Sequence, residues 1–300
     1  MRVLVTGSHG LIGSALVPAL GREGHDVVRL VRGSAGPGDI PWNPEAGQLN
    51  VEALVKVDAV VHLAGASIAD KRWTAQQKRT LLDSRVVTTD LLARRLSEAD
   101  PRPSVLVSGS AIGYYGDRGD AVVDEETAPG AGFLAELCRQ WEGATAPAES
   151  AGVRVAHIRT GIVLSPDGGS LKKQLPLFRV GMGGRFGSGQ QYLSWISLED
   201  EVGAIIHTLQ TASLSGAVNL TAPHPVTNVE FAQTLGTVLG RPAKVPVPKV
   251  GLSLVLGREL VEEMLLAGQR VVPRKLLQSG YQFRHPELEP ALRALLRPSA

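Results

Sequence analysis

The chain has 300 residues, enough for one large domain or two unequal ones, and its 43% hydrophobic and 20% charged content is that of an ordinary folded protein. The net charge of +2 is small for this length, and Lys and Arg fall in scattered pairs such as Lys71-Arg72 and Arg274-Lys275 rather than in a stripe, which argues against a nucleic-acid partner. No apolar run approaches the roughly 18 residues of a membrane span, and a strand pattern starting at Met1 leaves no room for a signal peptide. The single Cys138 excludes an internal disulfide and fits a reducing compartment. The seven histidines show no metal-ligand spacing, so no metal is expected, and a cytoplasmic location is.

Val3, Leu4 and Val5 read as a buried strand, after which Gly7, Gly10 and Gly13 fall three residues apart. Ala15, Leu16, Ala19 and Leu20 then follow at helical spacing. A strand, a glycine-spaced turn and a helix form a cradle for a pyrophosphate. Gly7 permits the turn, Gly10 lets phosphate approach bare backbone, and Gly13 lets the helix pack closely. The unpaired N–H groups of the helix start, from Ser8 through Leu11 and Ile12, face the same ligand.

A second strand runs to Arg32, with Gly33 and Ser34 following. Where an acid would bind the ribose hydroxyls of NAD, this strand carries Arg29 and Arg32, which suit the 2′-phosphate of NADP. Arg32, nearest the strand end, is the stronger candidate. A Gly/Pro-rich loop to Gly47 has a short strand near Ile40, and Asp58-Ala-Val-Val-His-Leu-Ala-Gly65 is another buried strand. Its small end at Leu63, Ala64 and Gly65 leaves room for a cofactor. A long helix is predicted over 74–97, a strand and a Ser/Gly-rich loop over 103–116, one helix over 133–150 and a strand over 153–159. Strands alternating with helices predict an α/β doubly wound parallel sheet.

Beyond Ser165 the elements shorten between glycines and prolines, apart from one apolar helix around 200–211. The predicted division is a dinucleotide-binding domain over 1–165, with about 195–222 returning to it. A smaller α+β capping domain over 166–194 and 223–300 would bind substrate.

Thr6-Gly-Ser-His-Gly-Leu-Ile-Gly13, the 58–65 strand, Arg159-Thr-Gly-Ile-Val-Leu-Ser-Pro166 and Trp195-Ile-Ser-Leu-Glu-Asp200 together resemble the extended short-chain dehydrogenase/reductase superfamily, whose fold is of the Rossmann type. Ser84-Arg85 with Thr88, the Ser108–Gly116 loop, Phe133–Glu142, Leu239-Gly-Arg-Pro242 and Gly280-Tyr-Gln-Phe283 are similar to its atypical "epimerase family" proteins. The resemblance implies that Arg32, Leu63, Ala64 and Arg85 contact NADP(H), and that Arg159, Thr160 and Gly161 pass the nicotinamide carboxamide. It also implies dimerisation through the 74–97 and 133–150 helices in many relatives, so monomer and homodimer both stay open.

The superfamily's Tyr-x-x-x-Lys pair is replaced. Counting back from Glu142 puts Cys138 at the lysine and Leu134 at the tyrosine. Leucine has no proton to give, and a thiol has no positive charge to lower a neighbour's pKa. Ser108 and Ser110 remain, with Ser110 the expected partner of the reactive carbonyl, and Tyr114 or Tyr115 as substitute acid. Cys138 reads as a small core residue. Arg185, Gln191 and Trp195 are candidate substrate contacts. Two functions follow: an NADP(H)-dependent oxidoreductase or epimerase acting on a small carbonyl or sugar-nucleotide-like molecule, or an NADPH-binding redox sensor or scaffold with little turnover.

Overall fold

The computed structural model describes residues 1–33 and 35–296, so Ser34 lies outside the described residues. In chain order the strands are β1 (Arg2–Thr6), β2 (Asp26–Arg32), β3 (Ile40–Trp42), β4 (Ala59–His62), β5 (Val105–Ala111), β6 (Val122–Val123), β7 (Arg154–Thr160), β8 (Ile162–Leu164), β9 (Tyr192–Leu193), β10 (Trp195–Ser197), β11 (Gly216–Leu220), β12 (Val226–Thr227) and β13 (Arg270–Val271). Seven of them form one parallel sheet in the order β11-β7-β5-β4-β1-β2-β3. The strand order reverses between β1 and β4, and at such a switch point a cleft opens outside the carboxyl ends of the strands.

The first four helices are α1 (Leu11–Arg22), α2 (Ala75–Glu98), α3 (Phe133–Gly143) and α4 (Ala146–Ser150). They are followed by α5 (Gly169–Arg179), α6 (Leu198–Gln210) and α7 (Asn228–Leu239). Alternation along the strands divides the core. Val3, Val5 and Val61 pack with Leu16 and Leu20 of α1 and Ile205 and Leu209 of α6. Leu4 and Val60 face the other way, onto Leu92 and Leu96 of α2. A third cluster lies off the sheet, where Leu171 and Phe178 of α5 meet Phe231 and Leu235 of α7 and Leu292 of the last helix.

The single helix expected over 133–150 is two helices. Pro147 explains the break, since it has no N–H to give and its ring clashes with the carbonyl four residues back. Thr74 and Ser197 cap α2 and α6 by accepting from Gln77 N and Asp200 N. The N-cap of α3 is Gly132, which has no side chain to offer. Glu263 supplies the cap from a distant part of the chain, accepting from Phe133 N at 2.9 Å and Leu134 N at 2.8 Å.

Candidate functional site

The glycine turn is shaped by collisions that a side chain would cause. Gly7 has φ +67°, and a Cβ there would lie 2.6 Å from the Leu63 carbonyl oxygen. At Gly13 a Cβ would lie 2.2 Å from the Gly7 carbonyl oxygen, so turn and helix touch through bare backbone. Gly10 is the N-cap of α1 and has no side-chain cap, which leaves the first N–H groups of the helix open to a ligand. Ser8 is buried, and its Oγ has no partner although it lines the cleft.

The cleft between the turn and β4 has a volume of about 420 Å³ and is lined by Gly7, Ser8, Gly10, Arg32, Leu63, Ala64 and Gly65 among others. It opens past Arg32, Trp42, Ser84 and Thr88 into a wider groove. Arg32 is exposed and makes no ion pair among the described residues. Arg29 is placed differently: its Nε donates to Asp39 at 2.7 Å and its Nη2 to the other carboxylate oxygen at 2.8 Å. That engagement, ten residues along the chain, takes Arg29 out of the cleft lining and corrects its expected role. Leu11 packs on Gly168, and Ile12 packs against the core.

Under the cleft, Thr6 Oγ1 accepts from the N–H groups of Leu63 and Ala64 at 3.1 and 3.2 Å, which fixes the end of β4. Its own proton then goes to His62 Nδ1 at 2.8 Å, so His62 Nε2 donates to Thr89 at 2.9 Å. Burial pushes the His62 pKa down to about 4, keeping the ring neutral.

A second cavity of about 220 Å³ lies beyond Arg85. Its walls include Arg85, Ala111, Leu134, Cys138, Trp141, Thr160, Gly161, Tyr192, Glu263 and Met264. Arg85 stands between the two spaces: its guanidinium carbon would be 3.2 Å from a Cβ on Gly65, and it lies 5.1 Å from the centre of the Trp141 ring. Burial pushes the Cys138 thiol up to about 12, with the nearby Glu142 charge adding to the effect. Cys138 therefore stays a thiol, as the reading of a small core residue expects.

The serine and tyrosine candidates sit elsewhere. Ser110 Oγ donates to Glu142 at 2.7 Å, and the β5 residue that lines the cavity is Ala111. Ser108 is fully buried, its Oγ unpartnered and outside the lining. Tyr115 is fully buried, donating to Asn219 at 2.7 Å and accepting from Arg159 at 3.0 Å, and burial raises its pKa to about 12. It is a poor proton donor with no access to the cavity. Tyr114 lies beneath the Arg159 guanidinium, 3.4 Å from its ring centre. Arg159 itself is buried in an ion pair with Glu142 rather than turned to the cleft. Burial opposes its charge, but the carboxylate's hydrogen bonds and charge outweigh that and hold its pKa above the usual value.

None of the three substrate candidates lines the second cavity itself, although Trp195 lines a smaller pocket that adjoins it. Arg185 lines a separate hollow beside α7, and Gln191 donates to the Phe186 and Leu265 carbonyls at 3.2 and 2.9 Å. Trp195 is buried and donates to the His224 carbonyl at 3.2 Å. Sequence reasoning missed Ala111, Trp141, Tyr192, Glu263 and Met264. Trp141 had a local signal, three residues past Cys138 and so on the same helix face, and Ala111 directly follows Ser110. The others arrive from distant segments.

Among the described residues no group of three or more His, Cys, Asp or Glu is placed to hold a metal ion, and no helix is long and apolar enough to cross a membrane.

Comparison with known proteins fits this geometry. Residues 3–220 match the NAD dependent epimerase/dehydratase family, and residues 247–295 match a domain of unknown function (DUF1731). Epimerase family protein Mb2239 of Mycobacterium bovis is 48% identical over 291 residues, covering 97% of this chain and 96% of its own. The crystal structure of human epimerase family protein SDR39U1 (isoform 2) with NADPH superposes with a TM-score of 0.92 at 38% identity, covering 98% of this chain and 99% of that one. A nucleoside-diphosphate sugar epimerase from Corynebacterium glutamicum is similar at 36% identity and TM-score 0.80, over 98% of this chain and 58% of its own. The chain belongs to the NAD dependent epimerase/dehydratase family, with the Rossmann-like sheet of its extended short-chain dehydrogenase/reductase relatives.

Proposed function

We propose that this protein binds NADP(H) in the cleft over Gly7, Gly10 and Gly13 and transfers hydride to or from a carbonyl compound held in the second cavity. The substrate-binding part would be residues 166–194 and 223–300. The observation that carries the cofactor choice is Arg32, an exposed guanidinium without an ion-pair partner among the described residues, at the cleft rim where an acid would repel a 2′-phosphate. The unpartnered Ser8 hydroxyl and the open N–H groups of α1 fit the diphosphate. The NADPH-bound human relative supports the same choice.

When bound, NADPH would supply hydride from nicotinamide C4 to a carbonyl carbon, a proton going to the oxygen. Thr160 and Gly161 line the cavity where the nicotinamide edge would lie, and Arg85 stands between the two spaces. Of the lining residues with a proton to move or accept, the Thr160 and Ser194 hydroxyls are engaged by Glu201 and the Gln269 carbonyl and Cys138 stays a thiol, which leaves Tyr192 and Glu263 as the candidates for handling the proton. The direct test is a titration of the purified protein with NADPH and NADH. Equal affinity for the two would remove the phosphate argument.

The same replacements favour a second reading. Leu134 and Cys138 leave a wall without the usual acid and base, as an NADPH-binding sensor or scaffold would have. A carbonyl and sugar-nucleotide screen without NADPH oxidation or epimerisation at high protein concentration would favour it.

A further inference from the structure

The second cavity differs from the dinucleotide cleft in the chemistry of its walls. Ile68, Leu134, Ile162, Leu193 and Met264 are apolar, and the Trp141 ring faces the same space. Two charged side chains reach it, and both are engaged. The Arg85 guanidinium donates to the Leu81 and Ala66 carbonyls at 3.2 and 3.0 Å and stacks on Trp141. The Glu263 carboxylate accepts the two N–H groups at the start of α3. Among the described residues no other lysine or arginine lines the cavity.

A diphosphate needs several donors or cations to replace the water it loses. Here the one cation is committed to backbone, and a carboxylate in the wall repels a second anion. Arg185, one of the candidate substrate contacts, opens instead onto the hollow it shares with Arg241 and Lys244. Size points the same way. At about 220 Å³ the cavity is smaller than the roughly 300 to 1,000 Å³ of sites for drug-sized ligands, and the nicotinamide edge would share it. A further pocket of about 90 Å³ adjoins, sharing Ile162, Leu193 and Met264 with the cavity and ending on Phe186, Trp195 and Phe231. It prolongs the apolar space away from the cofactor.

We propose that the substrate is a small uncharged carbonyl compound with an apolar tail, its carbonyl beside Thr160 and Gly161 and its tail running past Ile162 and Met264 toward Phe231. Nucleotide sugars do not fit this cavity. The proposal rests on the reading of the protein as an NADP(H) oxidoreductase, because that reading places the reacting carbon.

A homologous series of straight-chain 2-alkanones, titrated calorimetrically into the full-length protein loaded with NADP+, tests it without requiring turnover. Each methylene buried contributes about 0.8 kcal/mol, so the Kd should fall about fourfold per added carbon until the apolar space is full, then level off. UDP and UDP-glucose at about 1 mM, a concentration that detects even weak binding, should leave no heat signal. Binding of UDP-glucose to the NADP+ complex, or ketone binding that ignores chain length or is absent, overturns the proposal. Leu193→Trp should abolish the gain for the longer ketones while NADP+ affinity stays within about twofold. Met264→Trp is the substitute if that variant does not fold. Failure of NADP+ itself to bind would instead strike the underlying oxidoreductase reading, so the two failures are distinguishable.

Discussion

Arg159 and Glu142 meet as a two-pronged ion pair, with Nε and Nη2 each 2.8 Å from a carboxylate oxygen and side chains only 4% and 12% exposed. The pair joins β7 to α3, the helix that carries Leu134 and Cys138 into the second cavity. Ser110 bonds the same carboxylate, and Tyr115 accepts from the same guanidinium. The loop after β5 is therefore held by residues that the sequence suggested for chemistry.

Removing one partner should leave an uncompensated buried charge. Glu142→Ala is expected to cost about 3 to 5 kcal/mol of unfolding free energy, read by urea denaturation. NADPH affinity of the folded fraction should change little, since Glu142 does not line the cofactor cleft. A loss below about 1 kcal/mol would mean that the pair is not the fastening it looks like.

The two arginines of β2 should behave differently. Arg32→Ala should weaken NADPH binding by about 10- to 100-fold, the value of one or two charge-assisted hydrogen bonds, and leave NADH unchanged. Arg29→Ala should leave both affinities within about twofold, because its guanidinium is engaged by Asp39. Fluorescence titration of both variants with both cofactors checks this; equal losses would erase the distinction.

Gly13→Ala should damage the cofactor cradle through backbone rather than through a lost contact. The added methyl would sit 2.2 Å from the Gly7 carbonyl oxygen, so turn and helix must separate. Overpacking of this kind costs about 1 to 3 kcal/mol. Thermal melts with and without NADPH should show a lower melting temperature and a smaller rise on adding cofactor. An unchanged cofactor-induced rise would mean that the cradle tolerates the methyl.

Stability should fall on both sides of neutrality for two buried groups. Glu201 is fully buried, accepts from Thr160 at 2.7 Å, and is pushed by burial up to about 8 from an ordinary 4.5. A raised folded pKa means that its favourable contribution is complete below pH 4.5 and lost as pH rises through 8, by a few kcal/mol. His62, held near 4 against an ordinary 6.5, contributes stability above 6.5 that is lost as pH falls through 4. Between pH 4.5 and 6.5 the two effects oppose each other, so Glu201→Gln should flatten the decline between pH 6.5 and 8 in a series of urea melts, leaving the limb below pH 4.5 unaltered. A wild-type profile that rises between pH 6.5 and 8 would contradict the assignment.

The glycine turn and the cleft beside it were legible because their devices are local. Gly7, Gly10 and Gly13 act within one turn and one helix start, and Arg32 sits at a strand end that the alternating pattern marks. The same locality misled at Arg29, whose partner Asp39 comes from the next segment. It misled again at Ser110, where a hydroxyl near the turn of a loop looked available until Glu142 was seen to hold it. Arg159 was read from its segment as a cofactor neighbour, and a buried carboxylate 17 residues upstream claimed it.

The amino-acid sequence by itself determined the parallel α/β architecture and the glycine cradle, because each is written in spacing along one stretch of chain, and its resemblance to the superfamily marked the usual tyrosine and lysine as replaced. Tertiary structure alone decided what surrounds Leu134 and Cys138. Beside Trp141 of the same helix, Ala111, Tyr192, Glu263 and Met264 reach one small cavity from segments that are distant in sequence. Which side chains line a space depends on how the sheet and the C-terminal elements pack, and periodicity within a segment does not encode that.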